Sequence, residues 1–147
     1  MITASNNEML IRSLYDAANR HDYSRFAGYF SEQGFFNDIS SGLQYRGKKE
    51  LISMLEGWAK TFPDMKIQIQ NVIGSGDLYC VEGTFVGTQK GVLEMPSGSI
   101  PATGKTVQVP LADVIQVRDG KIQAVSCYFA ATVLMSQLGQ MPVRKAA

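Results

Sequence analysis

Apolar positions along the chain follow two rhythms, and the change falls at Pro63. Upstream the spacing is helical. Met9, Leu10, Ile11, Leu14, Ala17 and Ala18 gather mainly on one face between Glu8 and Asn19, with Asn6 or Asn7 available as a cap. Tyr23, Phe26, Ala27 and Phe30 repeat at i, i+3, i+4, i+7 behind Asp22, which predicts a short second helix capped by that aspartate. Leu51, Met54, Leu55, Trp58 and Phe62 make the stripe of a third helix over 48–61, ended by Pro63. Beyond Pro63 the period is two. Met65, Ile67 and Ile69 alternate with Lys66, Gln68 and Gln70, and Tyr79, Val81 and Phe85 alternate with Cys80, Glu82 and Thr84, which predicts strands with one buried face. Segments 106–118 and 121–129 flank Asp119-Gly120, the strongest two-residue hairpin signal. A short helix over 131–138 closes the chain, and residues 1–6 and 140–147 read as frayed tails.

Helices first and antiparallel strands afterwards predict an α+β fold, a single domain over 1–147. In it a curved antiparallel sheet wraps around helices and leaves a cone-shaped pocket. A 45% hydrophobic share of 147 residues supplies one real core. Fourteen Lys and Arg against thirteen Asp and Glu leave +1, so the chain lacks the charge footprint of a nucleic-acid or anionic-membrane binder. The N-terminus lacks a basic start and apolar run, and no apolar stretch approaches the ~20 residues of a membrane span. The expectation is a soluble cytoplasmic chain. Cys80, Cys127 and the single His21 fit no zinc spacing, so the cysteines read as reduced, buried thiols and neither metal nor cofactor is expected.

Pairing Arg118 with Lys121 across the hairpin sets Asp113 opposite Ser126. Val109, Leu111, Asp113, Ile115 and Val117 then share a face with Ile122, Ala124, Ser126, Tyr128 and Ala130. Asp113 is the one ionisable group on that apolar face. Desolvation there penalises the charged form, so Asp113 is a candidate tuned acid, or else a structural aspartate bonded to a hydroxyl such as Ser126. Asp38, in GFFNDISSG, ends a short apolar run that fits a strand edge, although Asn-Asp before Ser-Ser-Gly is also ordinary turn chemistry. Tyr15 lies on the margin of the first helical stripe, where its ring can be buried and its hydroxyl aimed into a cavity. His21, at a helix end, reads as a surface or capping residue and otherwise as a weak acid–base candidate. The glycine-rich segment 87–105 is long enough to be a lid or binding loop, or a hairpin extension or dimer-packing arm. It lacks the glycine order of a phosphate cradle.

Five short motifs resemble, in chain order, the pattern of SnoaL-like polyketide cyclases. They are Trp58 with Phe62-Pro63-Asp64, Gly87-Thr88-Gln89, Pro101-Ala102-Thr103-Gly104-Lys105, Asp119-Gly120-Lys121-Ile122 and Gln137-Leu138-Gly139. The resemblance covers nearly the whole chain. It implies the nuclear transport factor 2-like cone, a cystatin-like α+β barrel, commonly a homodimer through the outer face of its sheet. It also implies ring closure by aldol chemistry on a small apolar carbonyl compound. At the position matching the cyclases' catalytic aspartate stands Ala130, which cannot move a proton; this keeps open a non-catalytic binding protein for an apolar metabolite. The chain is also distantly similar to the ketosteroid isomerases, through Asn37-Asp38 with Gly42 and Arg46-Gly47, through Ala112-Asp113-Val114, and through Tyr15. That likeness implies Asp38 as general base, with protonated Asp113 and Tyr15 as donors to an enolate oxygen. Trp58, Tyr128, Leu111, Ser126, Phe36 and Ala130 are then the expected pocket lining.

Overall fold

A computed structural model describes residues 5–141. The helices are α1 (Asn6–Asn19), α2 (Tyr23–Gly28), α3 (Gly47–Thr61) and α4 (Ala131–Gln137). The strands are β1 (Phe30–Asp38), β2 (Leu43–Arg46), β3 (Lys66–Ser75), β4 (Leu78–Thr88), β5 (Leu93–Met95), β6 (Gly98–Ile100), β7 (Thr106–Arg118) and β8 (Lys121–Phe129). Six of them form one curved sheet in the order β2-β1-β8-β7-β4-β3. The chain is α+β, with helices on the concave side of a sheet whose edge strands β2 and β3 do not meet, so the barrel stays open. None of the helices among the described residues is long and apolar enough to cross a membrane.

The helices form where the apolar stripes put them. The cap of α1 is Ser5, one residue before Asn6, and its side chain accepts from the Glu8 N–H. Asp22 caps α2 as expected, accepting from Arg25 N. Of the expected frayed ends, 1–4 and 142–147 lie outside the described residues, whereas Asn6 already begins a helix. Asp119 and Gly120 both take positive φ, 53° and 71°, as a two-residue turn between twisted strands requires.

Two expectations need correction, and one left open is resolved. First, the helices do not all precede the strands. The β1–β2 hairpin comes between α2 and α3, α2 ends at Gly28 so that Phe30 opens β1, and β1 lies parallel to β8. Gly34 obscured this strand by interrupting its alternation. It also permits the bulged pairing, since a Cβ there would lie 2.9 Å from the carbonyl oxygens of Ile122 and Ser31.

Second, the β7–β8 register slips by one. Arg118 pairs with Lys121 and Val117 with Ile122, but Gln116 pairs with Ala124, so Gln123 is the extra residue of a bulge. Asp113 therefore faces Cys127 and not Ser126. Below the bulge Val125 and Cys127 point inward, while Ser126 turns outward beside Asn37 and Tyr128 is 53% exposed. Cys127 is buried, but Cys80 is only half-buried.

Third, the segment 87–105 holds a small hairpin, β5–β6, fastened from within. Gln89 is fully buried. Its Nε2 donates to the carbonyls of Gly91, Ile100 and Pro101, and its Oε1 accepts from Thr103 N and Oγ1. Of the readings left open, the hairpin extension describes this segment best.

Candidate active site

Asp113 comes from the middle of β7, on the inward face shared with Val109, Leu111, Ile115 and Val117. It is 3% exposed. Tyr15, 4% exposed on the core-facing side of α1, donates from its hydroxyl to Asp113 Oδ2 at 2.5 Å. The other oxygen, Oδ1, is buried with no hydrogen-bond partner among the described residues. Burial lifts the Asp113 carboxyl above the ordinary carboxylate range, while Tyr15 and the nearby Cys127 thiol pull more weakly the other way. The Tyr15 phenol is held well above its usual value, first by burial and then by the neighbouring carboxyl, so it stays a donor. Burial and Asp113 push the Cys127 thiol strongly upward, which keeps it an S–H group and no nucleophile.

Asp38 ends β1. It pairs with Cys127 of β8, which pairs on its other side with Asp113 of β7, so the three residues form one row across the sheet. Two interstrand spacings separate the two aspartates at the backbone by about 10 Å. Asp38 Oδ1 accepts from Ser40 N, Ser40 Oγ and Ser41 N, at 3.1, 2.8 and 3.3 Å. Among the described residues Oδ2 takes no such bond. Asp38 is thus both the turn aspartate of one reading and a cavity residue, because the turn engages only one of its oxygens.

Both carboxyls line a cavity of about 90 Å³ whose walls include Tyr15, Phe36, Trp58, Phe85, Leu111, Cys127 and Phe129. Trp58, Phe62, Phe85 and Phe129 pack as one aromatic cluster with ring centroids 5.2 to 5.9 Å apart. A larger space of about 620 Å³ lies beside it and shares Asp38, Met54, Trp58 and Phe129 as walls. Of the expected lining, Phe36, Trp58 and Leu111 face the inner cavity. Ser126, Tyr128 and Ala130 do not: the bulge turns the first two away, and Tyr128 and Ala130 line a shallow depression with Pro110 and Ala112. Cys127, at the centre of the row, was missed because the unbulged register turned it outward.

Residues 11–125 match the family model of the SnoaL-like domain. The chain belongs to that family. TsrD from Streptomyces laurentii superposes on this SnoaL-like chain with a TM-score of 0.80 at 21% identity, covering 96% of this chain and 100% of its own. IdmH from Streptomyces antibioticus, a proposed polyketide cyclase, gives 0.76 at 21% identity over 92% and 99% of the two chains. A protein of ketosteroid isomerase-like fold from Catenulispora acidiphila, in complex with trimethylamine, gives 0.76 at 16% over 90% and 93%. At these identities the fold is what is shared. No curated protein matches the sequence.

Several residues that carry the SnoaL-like resemblance act as fasteners. Asp64 accepts from Thr88 N and Oγ1, Gln89 holds Thr103, and Gln137 bonds the backbone N–H and C=O of Gln108. All lie around the β5–β6 hairpin and the start of β7. They lie apart from the two carboxyl groups of the cavity, Asp38 and Asp113.

Proposed function

We propose that this SnoaL-like chain is a small-molecule enzyme of the cyclase or isomerase type that enolises an apolar carbonyl compound with its own side chains. One observation supports the reading above all: a buried carboxyl, oriented by Tyr15, with its second oxygen unpartnered in an apolar cavity that a second carboxylate also lines. The Asp38 carboxylate takes a proton from the carbon next to the carbonyl. The C–H electron pair becomes the enolate double bond and the carbonyl pair moves to oxygen, where a protonated Asp113 donates a hydrogen bond. An acid kept neutral by an apolar site can donate at a pH where an exposed one cannot. Tyr15, with its hydroxyl on Asp113 Oδ2, orients the acid. Reprotonation at another carbon completes an isomerisation; attack of the enolate carbon on a second carbonyl, with the proton passed to the new alkoxide, completes a cyclisation.

The test is deuterium exchange next to the carbonyl in a panel of ketones and β-keto esters. Exchange above buffer that Asp38→Asn and Asp113→Asn both lower supports the reading. Stoichiometric binding without exchange on any compound overturns it in favour of the binding-protein alternative. The outward side of β4, β7 and β8 presents Cys80, Thr84, Val86, Pro110, Ala112, Val114, Ser126 and Tyr128 around Glu82, with the charged Arg118 and Lys121 at the hairpin end. We propose this face as the homodimer contact that the family resemblance implies; sedimentation equilibrium of wild type and Ala112→Arg tests it, and a wild-type monomer would refute it.

A further inference from the structure

The two spaces beside Trp58 differ in size in a way that restricts the substrate. The inner cavity, where Asp113 Oδ1 lies unpartnered, measures about 90 Å³. A cavity of roughly 150 Å³ holds a benzene ring. The space against Asp113 is smaller than that and suits a slender group. The outer chamber is about 620 Å³, bounded by α3, β2, the β5–β6 hairpin and α4. It contains a feature the fold itself does not require: Leu43 and Val92, large apolar side chains 48% and 50% exposed, both line it. Its polar groups include Ser41, Lys60 and Glu94. Its hairpin wall is held by the buried Gln89 and by the close approach of Gly91 to the Lys60 carbonyl, where a Cβ would not fit.

We infer that the substrate is bipartite, with a slender carbonyl-bearing end that enters the inner cavity and a bulkier apolar body that fills the outer chamber. The shared walls Asp38, Met54, Trp58 and Phe129 place the junction between the two parts beside the Asp38 carboxylate. An open-chain ketone or β-dicarbonyl compound with an extended apolar substituent has this shape. The assignment rests on the enolisation reading only for which end of the molecule faces Asp113. The division of the binding space is independent of it.

Gly57 makes the division testable. It lines the outer chamber alone, and a Cβ added there meets no atom within 4 Å. Leucine at this helical position also has better helix propensity than glycine, so the variant should fold. Trp58 is the only tryptophan, and it borders both spaces, so its fluorescence reports occupancy of either. The experiment titrates wild type, Gly57→Ala and Gly57→Leu with straight-chain 2-alkanones from 2-butanone to 2-undecanone, with unfolding curves run alongside. For wild type the expected affinity rises about fourfold per methylene once the chain extends past the inner cavity. In Gly57→Leu that rise should flatten while 2-butanone binds as in wild type, and Gly57→Ala should fall between. A Gly57→Leu series that parallels wild type, an equal loss for short and long ketones, or no binding by wild type would each overturn the proposal. Deuterium exchange on the same ketones separates the two claims. Chain-length-dependent binding without exchange refutes enolisation and leaves the bipartite site standing; exchange without chain-length dependence does the reverse.

Discussion

Asp113 and Asp38 flank the same cysteine in one row of the sheet, yet they meet opposite surroundings. Asp113 is sealed in an apolar wall with, among the described residues, a single donor on Oδ2 and no partner on Oδ1. Asp38 stands where the strand breaks into a turn, with three donors converging on one oxygen. Burial favours the neutral form of Asp113, whereas Asp38 is only half-buried and bonded through one oxygen. In the proposed mechanism these two identical side chains, about 10 Å apart at the backbone, take different tasks, one giving a hydrogen bond and the other taking a proton.

The largest expected effect tests the Asp38 half. Asp38→Asn should lower the exchange rate about 10²–10⁴-fold while the unfolding midpoint stays near wild type, because an amide oxygen can still accept from Ser40 and Ser41. Next comes Asp113→Ala, which removes the donor and should cost about 10²–10³-fold in rate. Its pH signature is more telling than its size. Because the donor must be protonated, wild-type activity should fall as pH rises through the elevated Asp113 value, and in Asp113→Asn the residual activity should lack that alkaline limb.

Smaller effects concern stability. Tyr15→Phe leaves a buried carboxyl oxygen without its donor and should cost about 1–3 kcal/mol by denaturant unfolding. Losing Tyr15 also removes a group that pulls the Asp113 carboxyl down, so the alkaline limb should move to higher pH. The linkage sign for Asp113 follows from its raised folded value. Its contribution to stability is complete below the ordinary carboxylate range and is lost as pH rises through the folded value, each unit of difference amounting to about 1.4 kcal/mol. Asp113→Asn, neutral in both states, should flatten that decline and be more stable than wild type at the alkaline end. Asp64 should behave in the opposite sense: the Thr88 backbone N–H, ahead of its hydroxyl, lowers its carboxyl, so its contribution is present above the ordinary range and lost on acidification.

How much of this was legible in the sequence depended on whether a feature needs one element or two. The inward placement of Asp113 follows from the alternation of β7 alone, so it survived an error in the pairing. Ser126, Tyr128 and Cys127 depended on the partner register, and a single extra residue at Gln123 reversed all three, because a one-residue slip exchanges the faces of a strand. Nothing in Gln123 itself announces a bulge. The SnoaL-like fold was legible for a different reason: Asp64, Thr88, Gln89, Thr103 and Gln137 fasten specific backbone groups, and such residues leave local motifs. The junction of Asp38, Cys127 and Asp113 leaves none, since it joins three strands distant in sequence.

The protonation of Asp113 in the folded chain is the central claim, and carbon-13 NMR of aspartate-labelled protein measures it directly. Between pH 3 and 9, with Asp113→Asn to assign the signal, the Asp113 carboxyl should keep its protonated shift well past pH about 4, where an ordinary aspartate titrates. An Asp113 signal that titrates at or below that value would contradict the account, because the apolar wall would then hold a carboxylate.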